Sequence, residues 1–469
     1  MRVFFLFVGW LSVSMYGYAQ DTTSLTLMFA GDVMGHDSQI AAAWDKATNQ
    51  YDYDPCFQFV KPYIESVDMA IANLEVTLAG PPYKGYPQFS SPDALAQSLK
   101  TAGFDVLVTA NNHSVDRGKK GIERTIYVLD SLSIPHTGTF IDDTDRLNNY
   151  PMLLQKNGIS IALLNYTYGT NGIPVPKPTV VNLIDTAVIR KDLLQAQALQ
   201  PDVILTFIHW GTEYESLPRK NQKDLAEFCF RHGTDLLIGA HPHVLQPMEW
   251  RKEKNQLVVY SLGNFVSGQR KRYTDGGATA YVGLKKIRYA PDSIVTTIDT
   301  TGYVLNWVYR TVDANKDYYV LPVPAFEADT TGFIKDETSK GAFKTFAQDS
   351  RQLYGEHNVH VPELKYIPAD TLVRYSVDMT LVADTTTTDI QTLLTQHNID
   401  TFYGVRAERV EETQTIHVSI GSFTSEAKAQ RVCDQLTAMG AAAKVVRYIN
   451  GVPLMSEEVQ AEDEDVSDE

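Results

Sequence analysis

Residues 236–246 read LLIGAHPHVLQ: a short apolar run, then His241 and His243 on either side of Pro242. LLIGA has no polar face, so a strand built from it must be covered on both sides, as parallel strands of α/β domains are. The same pattern recurs in both directions along the chain. LTLMFA (25–30), MAIANL (69–74), FDVLVTA (104–110), ISIALLNYTY (159–168), DVILTFIHW (202–210) and LVVYSL (257–262) are all short β-rich runs. Helical segments fit between them. SPDALAQSLKTAG (91–103), for example, opens at Ser91 or Pro92 and is stopped by Gly103. Strands alternating with helices give an α/β fold with central sheets flanked by helices. Beyond SLGNF, the runs TAYVGLKKIRY, SIVTTIDT and YVLNWVYRTV read as three successive strands that complete the domain, 25–319, in antiparallel fashion.

The chemistry lies just past the end of each run. LMFA is followed by Gly31 and Asp32, MAIANL by Glu75, VLVTA by Asn111, Asn112 and His113, ILTFI by His209, and LLIGA by His241 and His243. The carboxyl ends of parallel strands share a rim, and sites are built there. Taken singly, each of these residues reads as a cap, a turn or a satisfied core histidine. Together they bring two carboxylates, an amide and four imidazoles to one rim, a donor set for one or two divalent transition metals (Mn, Fe or Zn). Asp116, Glu213 and Asn264 are candidate partners that orient the ligating histidines. The cluster QRKRY, with Arg270 and Arg272, is placed to steer an anionic substrate, a solvated basic loop being the plainer reading.

With 469 residues the chain exceeds one ordinary core, so two or three domains are expected. Apolar residues make up 43% and charged ones 21%, the balance of a folded soluble chain. The net charge is −16, and eight of the acids sit in the terminal SEEVQAEDEDVSDE. That excess argues against nucleic acid as a partner. Arg2, the apolar VFFLFVGWLSV and the small residues Gly17 and Ala19 read as a secretory signal over 1–19, hence export to the periplasm or cell envelope. No later run approaches the ~20 apolar residues of a membrane span. Cys56, Cys229 and Cys433 are too few and too scattered for a disulfide framework and read as buried thiols. Residues 320–370 read as a connector packed on the first domain, with a helix near 338–354. Residues 372–450 form a smaller doubled βαβ unit, whose second helix puts Ala429, Val432, Cys433, Leu436 and Met439 on one face and ends at Gly440. The tail, 451–469, is expected to be disordered.

FAGDVM, ANLE, LVTANNHSVDRGKKGIERT, FIHWGTEYE, IGAHPHVLQP and YSLGNFV resemble, in that order, the motifs of the CapA family of poly-γ-glutamate capsule synthesis proteins. The resemblance implies a metallophosphatase-like α/β sandwich. It implies Asp32, Glu75, Asn112, His209, His241 and His243 as metal ligands, with Glu75 where related phosphatases have a bridging aspartate, and His113 as the catalytic group near the substrate. One position departs from the wider superfamily: Met34 stands where a ligating histidine is usual, and His36 is the nearest substitute. Residues 416–446, IHVSIGSFTSEAKAQRVCDQLTAMGAAAKVV, resemble the second half of the SPOR domain, which binds peptidoglycan glycan strands. Gly421, Ser422 and Phe423 are the implied glycan contacts. Two functions remain open: a metal-dependent hydrolase acting on a phosphoester or anionic envelope polymer, and a non-catalytic capsule assembly or export component that keeps the fold as a binding surface.

Overall fold

A computed structural model describes residues 21–290, 292–313, 316–327, 332–365, 373–382, 404–410, 415–423, 426–438, 442–449 and 452–453. The expected leader, the first helix of the doubled unit, Met439, Gly440 and the chain beyond 453 lie outside them.

Strand β1 (Asp21–Val33) shows why the domain has four layers. Leu25, Leu27 and Phe29 point to one face and Met28 and Ala30 to the other, and all are fully buried. In parallel beside it lie β2 (Met69–Leu74), β3 (Val106–Val108) and β4 (His136–Thr137). The chain then crosses to a second sheet made of β5 (Met152–Lys156), β6 (Ile159–Thr167), β7 (Val203–His209), β8 (Leu236–Ala240), β9 (Leu245–Arg251) and β10 (Gln256–Leu262). There β6, β7, β8 and β10 run parallel, with β5 and β9 antiparallel at the edges. It returns through β11 (Asn264–Val266), β12 (Gly276–Ala290), β13 (Ser293–Arg310) and β14 (Tyr318–Pro322) to finish the first sheet, in the order β14-β13-β12-β1-β2-β3-β4 with β11 beside the end of β1.

The two sheets face each other. Leu25, Leu27 and Phe29 share one core with Leu163, Leu205, Ile238 and Val259 of the second sheet. Each such side chain contributes about 1.5–3 kcal/mol on burial. The outer face of the first sheet is covered by the helices Ala94–Thr101 and Gly118–Ser131, through Leu95, Leu99, Val128 and Leu129. The outer face of the second is covered by Thr186–Ala198 and Lys220–Arg231, through Ile189, Leu193, Ala226 and Cys229. The fold is therefore mixed α/β, two sheets between two layers of helices.

Two features differ from the sequence reading. SIVTTIDT and YVLNWVYRTV are one strand, β13. It pairs with β12 almost throughout, and the register slip opposite Gly283 and Leu284 absorbs the polar stretch that reads as a turn. Residues 320–364 do more than connect: Phe343, Phe346, Ala347 and Tyr354 of the helix Glu337–His357 enter the inter-sheet core, and Val359 is hydrogen-bonded to both Met248 and Trp250.

In the smaller unit, neighbouring strands are antiparallel, in the order Val405–Val410, Thr415–Phe423, Val373–Val382, Ala443–Ile449, Val452–Pro453. The last of these lies where a disordered tail was expected. The helix Glu426–Ala438 packs Ala429, Val432, Cys433 and Leu436 on Val377, Ile416, Val418 and Ile420. Phe423 belongs to that core at 5% exposure, so it is not a glycan contact: the register slip after Ile420, where two residues face Ser376, turns it inward. Gly421 serves the backbone, with φ +76° and the Phe423 ring 2.4 Å from where a Cβ would stand. The side chain of Ser422 lies outside the described part of the chain. All three cysteines are free and buried. Among the described residues no helix is long and apolar enough to cross a membrane.

Candidate metal centre

The residues singled out in the sequence converge, but from two sheets. Asp32 lies at the end of β1, and Glu75 and Asn112 follow β2 and β3, while His209 ends β7 and His241 and His243 follow β8 in the facing sheet. All six are at most 3% exposed. The local backbone makes this possible. Pairing of β1 with β2 slips between Ala30 and Asp32, and Asp32 N–H donates to Gly263 O at 3.0 Å. A Cβ on Gly31 would stand 2.1 Å from that same oxygen, so only glycine lets β11 approach here. Gly31→Ala is expected to cost about 1–3 kcal/mol or more, read as a lower unfolding midpoint in urea. An unchanged midpoint contradicts the close approach. His241 (φ +102°) and His243 (φ +58°) both hold backbone conformations unusual for side-chain-bearing residues, strain of a kind concentrated at functional sites.

Hydrogen bonds set the imidazole tautomers. His243 Nδ1 lies 3.2 Å from Asp32 Oδ2 and 3.1 Å from Asn264 Oδ1. Both neighbours are acceptors, so Nδ1 carries the proton and Nε2 turns a lone pair towards Glu75, 3.9 Å away. His209 Nε2 lies 2.8 Å from Asn112 Oδ1 and 3.5 Å from Glu75 Oε1, three potential ligand atoms about one point. Asn73 Nδ2 donates to Asp32 Oδ1 at 2.8 Å and lies 3.2 Å from His209 Nδ1. Both oxygens of Glu75, and Nδ1 of His241, are buried with no hydrogen-bond partner. Asp32, Glu75 and His209 form one group with ligand atoms within 4.8 Å, and Glu75, His241 and His243 form another. Glu75 is common to both, the arrangement a carboxylate shared by two cations requires.

Electrostatics agree with the geometry. Burial, then the charge of Asp32, push the Glu75 carboxyl well above its usual range. Burial would raise Asp32 too, but the hydrogen bond and charge of His243 hold it below the usual range. Burial, then neighbouring histidines, push His209 far down and His241 down to about 3, and burial takes His36 to about 4. Neutral imidazoles beside carboxylates are the ligand form metals need. These depressed histidines stabilise the fold fully above 6.5, and that contribution is lost as pH falls through about 4 and then about 3. Glu75 works in the opposite direction, one carboxyl against three imidazoles. The metal-free protein is therefore expected to melt at steadily lower temperature from pH 6.5 to 4. A flat or rising profile contradicts buried neutral imidazoles.

Around this cluster, His113 Nδ1 lies 2.7 Å from Asp116 Oδ2, which also accepts Phe89 N–H at 2.7 Å. The carboxylate fixes the proton on Nδ1 and leaves Nε2 for other work. Asn264 contacts His243 as described. His36 stays outside both ligand groups, because its Nδ1 accepts from Gly268 N–H at 3.1 Å. Met34 is buried with its sulfur 3.6 Å from the Ser267 hydroxyl. Glu213 is exposed, and its charge acts on Tyr214 and Glu75. The two arginines are committed elsewhere. Arg270 donates to Val308 O and Ser267 O, and Arg272 is ion-paired with Asp349. Lys271 between them lies over the Tyr214 ring. Sequence reasoning missed Asn73, whose one available signal is a buried amide inside an otherwise apolar strand. It also missed Tyr168, whose ring lies 4.5 Å from that of His241.

Residues 26–269 match the family model described as bacterial capsule synthesis protein PGA_cap. The chain is 30% identical over 278 residues to the PGA biosynthesis protein CapA of Bacillus subtilis strain 168, covering 57% of this chain and 70% of that one. It is 29% identical over 264 residues to the capsule biosynthesis protein CapA of Bacillus anthracis, covering 53% and 61%. A crystal structure of a novel phosphatase from Mycoplasma pneumoniae aligns at 14% identity and a TM-score of 0.31, over 60% of this chain and 94% of that one, a likeness too low to carry argument.

Proposed function

The chain belongs to the bacterial capsule synthesis protein PGA_cap family, and from that premise we propose that it is an exported, metal-dependent hydrolase of a phosphoester in the making of a capsule or related envelope polymer. The observation that carries the proposal is Glu75, fully buried among imidazoles with both oxygens unpartnered. Leaving a carboxylate so costs several kcal/mol unless a cation completes it. Asp32, Glu75, Asn112, His209, His241 and His243 would hold one or two ions of Mn, Fe or Zn, Glu75 being shared.

When bound, such ions activate a water and offset charge on phosphoryl oxygens. The remaining work falls to the chain. Asn73 and Asn264 fix the orientation of His209 and His243. Asp116 holds the Nδ1 proton of His113, and the ring, once it has taken a second proton from solvent on Nε2, would pass that one to the departing oxygen. Hydrolysis of bis(4-nitrophenyl) phosphate by the manganese-loaded protein, abolished by chelation, is the expected result. Retained metal with no turnover would favour the second reading, a capsule assembly or export component. Met34 speaks for that reading, since a thioether already engaged by Ser267 replaces a nitrogen ligand. Attachment to glycan strands by the unit at 373–453 is part of the same proposal, and equal retention on intact and amidase-treated peptidoglycan would remove it.

A further inference from the structure

The ligand atoms are buried, yet large aromatic rings stand exposed beside them. Tyr86 is 67% exposed, Tyr168 46% and Tyr214 41%. They come from three loops, after β2, β6 and β7. The Tyr168 ring lies 4.5 Å from that of His241 and the Tyr214 ring 6.3 Å from that of His243. Tyr86 lies 6.5 Å from Phe89, whose ring is 4.6 Å from His113. Tyr214 is held in the left-handed region at φ +67°, with its N–H donating to Pro242 O at 2.8 Å. That conformation costs of order 1–3 kcal/mol for such a residue, and it places the ring beside the cluster.

We propose that Tyr86, Tyr168 and Tyr214 form an aromatic rim that selects a sugar phosphoester over a polyanionic chain. The inference rests on the phosphoester reading above and names its substrate class. Charge decides against a polyanion. Lys271 Nζ sits 4.0 Å from the Tyr214 ring centre, and the charge of Glu213 acts on the same tyrosine, so the two offset one another. Arg272 is ion-paired with Asp349, and Arg270, though it keeps its charge, directs its guanidinium to Val308 O and Ser267 O, so neither offers a free fork to an anionic chain. A polymer with a charge on every residue needs an array of cations to hold it, whereas one phosphoester needs only the metal centre.

Ring chemistry decides for a sugar. The C–H face of a pyranose packs on a tyrosine ring, and its hydroxyls donate to acceptors such as the Glu213 carboxylate and Asn171 Oδ1, the latter 3.5 Å from the Tyr168 hydroxyl. A nucleobase could also stack on these rings, so adenosine monophosphate is the competitor against which the sugar must be measured.

The test is calorimetric titration of the metal-loaded full chain with inorganic phosphate, glucose 1-phosphate, adenosine monophosphate and triglutamate. Glucose 1-phosphate is expected to bind about tenfold more tightly than phosphate or triglutamate, the equivalent of one or two ring contacts. In Tyr168→Ala/Tyr214→Ala the preference should fall to about twofold or less, read at equal metal loading and against the same variant's own affinity for phosphate. Tyr86→Ala, on a separate loop and free of backbone strain, should lose part of it. Triglutamate or adenosine monophosphate binding as tightly as glucose 1-phosphate overturns the rim, as does a preference that survives all three substitutions. Phosphate that binds without any sugar preference overturns the rim alone. Phosphate that fails to bind overturns the phosphoester reading and this inference with it.

Discussion

Metal-free Glu75→Gln protein is expected to be more heat-stable than metal-free wild type, while holding metal at least about 100-fold more weakly, beyond the range seen when an outer-shell partner is lost. The two effects share one cause. Glutamine keeps the shape of Glu75 but carries no charge, and its amide can donate to the unprotonated nitrogens around it. Removing an unpartnered buried carboxylate is worth about 1–3 kcal/mol. The sign has a pH signature. Glu75 has a raised folded-state pKa, so the wild-type penalty is largest above that value, shrinks as the pH falls, and vanishes below the ordinary 4.5. The advantage of the variant should follow the same course in melts from pH 8 to 4. A variant less stable than wild type at pH 8 without metal would show that Glu75 has a protein partner, and the case for a cation there would fail.

His113→Ala is expected to lower turnover of a phosphodiester by about 10²–10⁴-fold, the range for removal of a general acid, with metal content unchanged. Asp116→Asn should do less. It leaves the ring in place but puts an uncharged amide where a carboxylate holds the Nδ1 proton, at 2.7 Å in the folded chain. Its effect should appear in kcat and in a shifted pH profile, with KM little moved. Metal loss in His113→Ala would instead make the imidazole a ligand, and equal turnover in both variants and wild type would remove it from the chemistry.

The elements of the first domain were legible because buried strands write themselves as short apolar runs, and each run quoted for that domain contains a strand or part of one. Their division into two sheets was not legible. β1 and β8 are both apolar on each face, since each is covered by a sheet on one side and helices on the other, and nothing local tells the two apart. The ligand positions were readable because a histidine or carboxylate just past an apolar run has little other reason to recur so often. The outer partners were legible only in part: Asp116 and Asn264 could be named from the motifs, whereas the others depend on distant chain. Arg272 could be excluded from the substrate only by finding Asp349, and Asn73 becomes informative only once His209 lies across from it. Phe423 misled for a related reason. A ring after a glycine turn looks presented, but the extra residue in the strand after Ile420 reverses the alternation and directs it into the core.

Metal content per chain, measured by elemental analysis on the purified wild type and on His241→Ala/His243→Ala, bears most directly on the centre itself. One or two divalent transition ions in the wild type, and close to none in a double variant that keeps its circular dichroism spectrum, is the predicted result. Wild type without bound metal, or a double variant that holds as much as wild type, would contradict it.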